Sequence, residues 1–206
     1  MVDTISVAGF TGRISTDTYP VVVKMRGHVL KIPRNYLETA APTSEDVYFM
    51  VVLSYPEFHP VDTSSESMFR SLTSRSGSIS SRAGWWFLAP DNAIWAYPGF
   101  VGSTRKAWLN PVLEAAKNQH ITSNEYGLAM VRGPLLMGEY YAFMPQTAEE
   151  PVVIKCHTVI KNAICESEFD LAPGLVVEYG YSRNNLPQWR EIDKQIKRIL
   201  SSFLED

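Results

Sequence analysis

The chain has 206 residues, 45% hydrophobic and 20% charged, with 19 basic and 22 acidic side chains for a net charge of −3. That composition excludes disorder, collagen and coiled coil, and a chain of this length can hold a core without metal or disulfide. The slight acidic excess leaves no broad basic face for phosphate backbones, so no nucleic-acid partner is expected.

Strands dominate the first third. Residues 19–25 and 28–32 are Val/Ile/Leu segments around Arg26-Gly27, which reads as a hairpin, and residues 33–37 make one helical turn. Residues 47–55 are continuously apolar, which predicts a strand covered on both faces and central in its sheet, ended by Pro56 and Pro60. Residues 63–82 are different: nine serines, Arg70, Arg75 and Arg82, and one acid, Glu66. A long polar loop of this kind is either a mobile excursion or a binding loop.

Residues 84–89 and 93–97 flank Pro90-Asp91-Asn92, a hairpin signal, and alternation puts Trp85 and Trp86 on opposite faces of their strand. The apolar stretch 83–104 is long enough to span a bilayer, but those breakers and Pro98 make it strand–turn–strand, so no membrane span is expected. Asn110 and Pro111 then suit the N-cap and first position of a helix reaching about residue 118, and strands are predicted over 126–131 and 139–144.

Residues 151–158 and 163–171 form a hairpin whose register can be tested by pairing. Setting Cys156 opposite Cys165 also sets Lys155 opposite Glu166, as an outward ion pair, and Val152 opposite Phe169, as an inward apolar pair. Directly opposed positions lie within disulfide reach; a disulfide and two packed thiols are both open. A half-buried strand follows over 175–181. Asn184 or Asn185 is then expected to cap a helix with Pro187 in its first turn, an apolar stripe of Trp189, Ile192, Ile196, Ile199, Leu200 and Phe203, and Arg190, Lys194 and Lys197 on the other side. The expectation is one α+β domain over residues 1–206, a mainly antiparallel sheet of eight to ten strands with the C-terminal amphipathic helix packed on it.

Motifs for chemistry are missing. There is no Gly-x-Gly-x-x-Gly, Walker loop, Gly-x-Ser-x-Gly, His-Glu-x-x-His or Cys-x-x-Cys, and His28, His59, His120 and His157 show no ligand spacing. No metal and no cofactor are expected. His157 and Cys156 are strand neighbours facing opposite ways, so they form no dyad, and Glu149-Glu150 and Glu166/Glu168 read as solvated surface. A non-catalytic binding protein is therefore expected. The alternatives are a small hydrolase or transferase assembling His59 or His120 with a serine and a carboxylate, and a small-ligand or glycan module using the Trp pair. For a protein partner, the aromatic and arginine side chains Phe69, Arg70, Arg75, Trp85, Trp86 and Tyr97 are the candidate anchors.

One ordered set of segments has a wider echo: Ile-Pro-Arg-Asn-Tyr-Leu at 32–37, Leu-Ser-Tyr-Pro-Glu-Phe-His-Pro at 53–60, Cys156, Cys165 and Phe169, Val-Glu-Tyr at 177–179, Leu-Pro-Gln-Trp-Arg-Glu-Ile at 186–192 and Ile-Leu-Ser-Ser-Phe at 199–203. The pattern resembles small proteobacterial immunity or accessory proteins found beside type VI secretion or other polymorphic toxins. The resemblance implies occlusion of a secreted toxin and offers no catalytic residues. The near-neutral charge argues against a strongly basic nuclease as that toxin. Residues 1–10 lack the basic cluster and apolar core of a signal peptide, which places the chain in the cytoplasm, or in the periplasm if an export signal has been removed.

Overall fold

A computed structural model describes residues 15–37, 49–67, 91–99, 104–118, 121–131, 139–145, 150–156 and 163–205. It is an α+β fold of two antiparallel sheets and, among the described residues, two α-helices.

The smaller sheet starts from a tight hairpin. Strands β1 (Pro20–Met25) and β2 (His28–Pro33) pair with Met25 opposite His28, so only Arg26 and Gly27 form the turn. Their φ angles of 53° and 81° are those of a two-residue turn that matches strand twist. A third strand, β11 (Leu204–Glu205), adds to β2, an element that the sequence pattern missed because it is two residues long. Between β2 and the larger sheet, a 3-10 turn at Arg34–Tyr36 buries Arg34 and Asn35. Arg34 donates to the Leu37 carbonyl at 2.7 Å, and the Asn35 amide donates to the Val61 carbonyl at 3.3 Å.

The larger sheet has eight strands in the order β3-β4-β10-β9-β8-β7-β6-β5: β3 (Val51–Ser54), β4 (Ala93–Pro98), β5 (Ile121–Glu125), β6 (Leu128–Val131), β7 (Glu139–Phe143), β8 (Val152–Cys156), β9 (Ile164–Ala172) and β10 (Leu175–Ser182). Among the described residues β3 is an edge strand, not the central one expected. Its residues 51–53 are buried on both faces as their apolar run requires. Burial on both faces reports layers above and below a strand; it does not count hydrogen-bonded neighbours.

The β8–β9 register has Cys156 opposite Cys165 and Lys155 opposite Glu166. The Tyr126-Gly127 turn between β5 and β6 takes φ of 55° and 74°, so Tyr126 is a turn residue and not the start of a strand.

Helix α1 (Thr104–Lys117) begins six residues before the expected start and carries Pro111 inside it. Asn110 is therefore not an N-cap. Val112 and Ala116 seat the helix on Val131, Tyr140, Ala142 and Val153 of β6, β7 and β8. Helix α2 (Trp189–Ser201) follows a 3-10 turn at Arg183–Gln188. The cap is also not where it was expected. Ser182 accepts the Asn184 N–H at 3.3 Å, while the Asn184 and Asn185 amides reach back to Asp91, at 2.9 Å to its carboxylate and 2.7 Å to its carbonyl.

The main core lies between the two sheets and α2. It takes Val23, Met25, Leu30 and Ile32 from the small sheet, the inward positions of the large one, and Trp189, Ile192, Ile196, Ile199 and Leu200 from the helix. Of the stripe read from the sequence, these five residues are that helix's buried face, and Phe203 is buried beyond its end.

Candidate functional site

Of the candidate anchors, Tyr97 lies within the described residues; Phe69, Arg70, Arg75, Trp85 and Trp86 lie outside them. Tyr97 sits near the end of β4, half-buried on the face of the large sheet turned away from the main core, and packs with Met50, Val52, Val61, Ala93, Trp95 and Ile164. Across the strand pair it stands opposite Glu178.

That outer face differs from the solvated surface expected for Glu166 and Glu168. Glu166 is 7% exposed and faces Lys155 at 3.8 Å, and Glu168 lies directly opposite Glu178 in the β9–β10 ladder. Three carboxylates thus share a strip between the Trp95 cluster and the α1 cluster. Burial first, then the neighbouring Glu166 and Glu168, push the Glu178 carboxyl up to about 8, with Lys155 pulling partly the other way. The correction has a simple cause. An antiparallel sheet with layers on both sides has no solvated face, so alternation alone cannot mark these carboxylates as exposed.

On the opposite side of the sheet, α2 and β7–β9 bound an open groove of about 500 Å³. Its floor is Phe143, Val152, Phe169 and Trp189 and its walls carry Arg190, Lys194, Glu150 and Asp170. The Arg190 guanidinium stacks 4.5 Å from the Phe143 ring and 5.2 Å from the Trp189 ring, and Lys197 stands 5.5 Å from Phe169. Trp189 donates its indole N–H to the Tyr126 carbonyl at 3.0 Å, tying the helix to the β5–β6 turn. Asp193 holds Lys197 at 2.8 Å and accepts from the Tyr179 hydroxyl at 2.8 Å.

Ser54 and His59 meet through the main chain of His59, whose carbonyl accepts from Ser54 Oγ at 3.3 Å and whose N–H donates to it at 3.2 Å. His28 Nε2 lies 2.9 Å from the Pro173 carbonyl. His120 and His157 lie outside the described residues. Among the described residues, no group of three or more His, Cys, Asp or Glu side chains is placed to hold a metal ion, and no helix is long and apolar enough to cross a membrane.

Cys156 and Cys165 are joined by a disulfide across β8 and β9. It sits on the core side, among Ile154, Tyr141 and Tyr181, and closes a sequence separation of 9.

No protein-family model and no curated protein matches the sequence. Among solved structures, the fold is similar to that of an immunity protein of the Stenotrophomonas maltophilia type IV secretion system, with a TM-score of 0.62 at 14% sequence identity. The alignment covers 97% of this chain and 100% of that one.

Proposed function

We propose that this protein is a non-catalytic immunity or accessory protein that binds a secreted bacterial toxin and occludes it. The observation carrying the reading is the end-to-end likeness to an immunity protein of a type IV secretion system, which spans both sheets and the closing helix. The sequence motifs resemble immunity or accessory proteins beside type VI and other polymorphic-toxin systems, which supports the same broad reading while pointing to a different secretion machinery.

The Cys156–Cys165 disulfide supports an oxidising compartment, the bacterial periplasm, as the place where the protein acts. A toxin that acts on the cell envelope would be met there.

The test is co-expression with the product of the neighbouring gene. The expected result is a complex that survives size-exclusion chromatography and restored growth of cells exporting the toxin. No complex and no protection would refute the proposal. For the compartment, thiol labelling of fractionated cells should find both cysteines blocked in the periplasmic fraction; labelled thiols there would count against it.

A further inference from the structure

Helix α2 satisfies its charges unevenly. Glu191 accepts from Gln195, Gln195 accepts from Arg198, and Asp193 pairs with Lys197. Arg190 and Lys194 stand one turn apart on the face that lines the groove, and among the described residues neither pairs with a carboxylate. Like charges at i and i+4 repel, so the isolated chain carries a small cost on this one face. Arg190 is also held in place: flanked by the Phe143 and Trp189 rings, its guanidinium keeps a fixed plane with its N–H edge available to an acceptor. Below it, Phe143 is half-buried and offers apolar surface. Tyr126, tied to Trp189 through its carbonyl, is 52% exposed at the same end.

Unpaired cations, a stacked arginine and an aromatic floor are the anchors that partner-binding surfaces use. Asp193 and Lys197 neutralise each other, and Glu150 and Asp170 across the groove repel any run of negative charge, so the local Arg190 and Lys194 pair fits a protein segment with a single carboxylate beside an apolar side chain rather than a polyanion such as nucleic acid. We infer that this groove is the docking surface for a segment of the partner that carries one carboxylate, which engages Arg190 and Lys194, with a neighbouring apolar side chain resting on Phe143. The inference rests on the immunity reading and adds to it the surface and the chemistry of the partner.

The experiment compares the full chain with the double variant Arg190→Gln/Lys194→Gln, and with Arg198→Gln as control, in binding the product of the neighbouring gene. The double variant should weaken Kd by about tenfold or more, with the gap narrowing at high salt, while the control binds normally. Its Tm should fall only slightly, because the lost Arg190 stacking is partly offset by relief of the i,i+4 repulsion. Unchanged Kd for a complex that the unaltered protein does form overturns the groove and leaves the immunity reading standing. No complex with the unaltered protein overturns both. A double variant with a clearly lowered Tm makes the two cations structural, and a dimer of this chain alone that the variant dissolves gives the groove to self-association; either result overturns the inference.

Discussion

Glu178 shows what a buried carboxyl does to stability. Its ordinary value is 4.5 and in the fold it rises to about 8, first through burial and then through Glu166 and Glu168. Below pH 4.5 both folded and unfolded chains are protonated and the group is neutral to stability. Between pH 4.5 and 8 the unfolded chain releases the proton and the folded one keeps it, so stability falls as pH rises through this window and levels off above it. At pH 7 the loss is about 3 kcal/mol. Glu178→Gln should therefore stabilise the protein by about that much near pH 7 and hardly at all at pH 4, as read from urea midpoints; an equal gain at both would refute the burial argument. On the same strand, Gly180 stands opposite Trp95, and a Cβ there would lie 2.8 Å from the indole nitrogen. The indole is buried and rigid, so Gly180→Ala should cost about 1–3 kcal/mol in chemical denaturation. Combining it with Trp95→Phe should recover part of that loss, since the smaller ring no longer reaches the added methyl.

At the scale of elements, legibility followed the range of the interactions. The β1–β2 hairpin and the β8–β9 register could be read because each is set by neighbours along the chain: a two-residue turn in one, Cys156/Cys165 with Lys155/Glu166 in the other. The apolar face of α2 could be read for the same reason, through its period. The helix starts were not legible in this way. The Asn110-Pro111 signal did not mark the start of α1, which takes Pro111 into its interior, and the caps before α2 are drawn to Asp91, about ninety positions away in the chain. The β8–β9 disulfide is testable at this scale. Reduction should lower stability by about 2–3 kcal/mol, the loop-closure entropy of a ten-residue loop. Cys156→Ser with Cys165→Ser should reproduce the loss, and an unchanged urea midpoint on reduction would show that the hairpin needs no covalent tie. Asp91→Ala should cost about 1–3 kcal/mol, because it leaves Ser182 and Asn184 without their acceptor.

At the scale of the whole molecule, the candidate site was less legible than the fold. A helical period tells which side of α2 is polar, and Arg190, Lys194 and Lys197 were read as that side. It cannot tell that Lys197 finds Asp193 while Arg190 stacks on Phe143 from another element. The same dependence on distant partners governs cooperativity. The core joins residues of the small sheet, such as Leu30 and Ile32, to the large sheet through α2 and Phe203. Phe203 is buried, meets the Tyr36 ring edge-on with centroids 5.0 Å apart, and accepts the Lys31 N–H at 2.7 Å. Beyond it, β11 covers the edge of β2. Phe203→Ala should then cost about 3–5 kcal/mol, the usual penalty for emptying an aromatic site in a core. If the two sheets share one core, the loss will appear as a single shifted transition, with far-UV and near-UV circular dichroism melting together. A small sheet that melts first, leaving the β8–β9 amides protected from hydrogen exchange, would instead mean that α2 holds the two sheets as separate cooperative units.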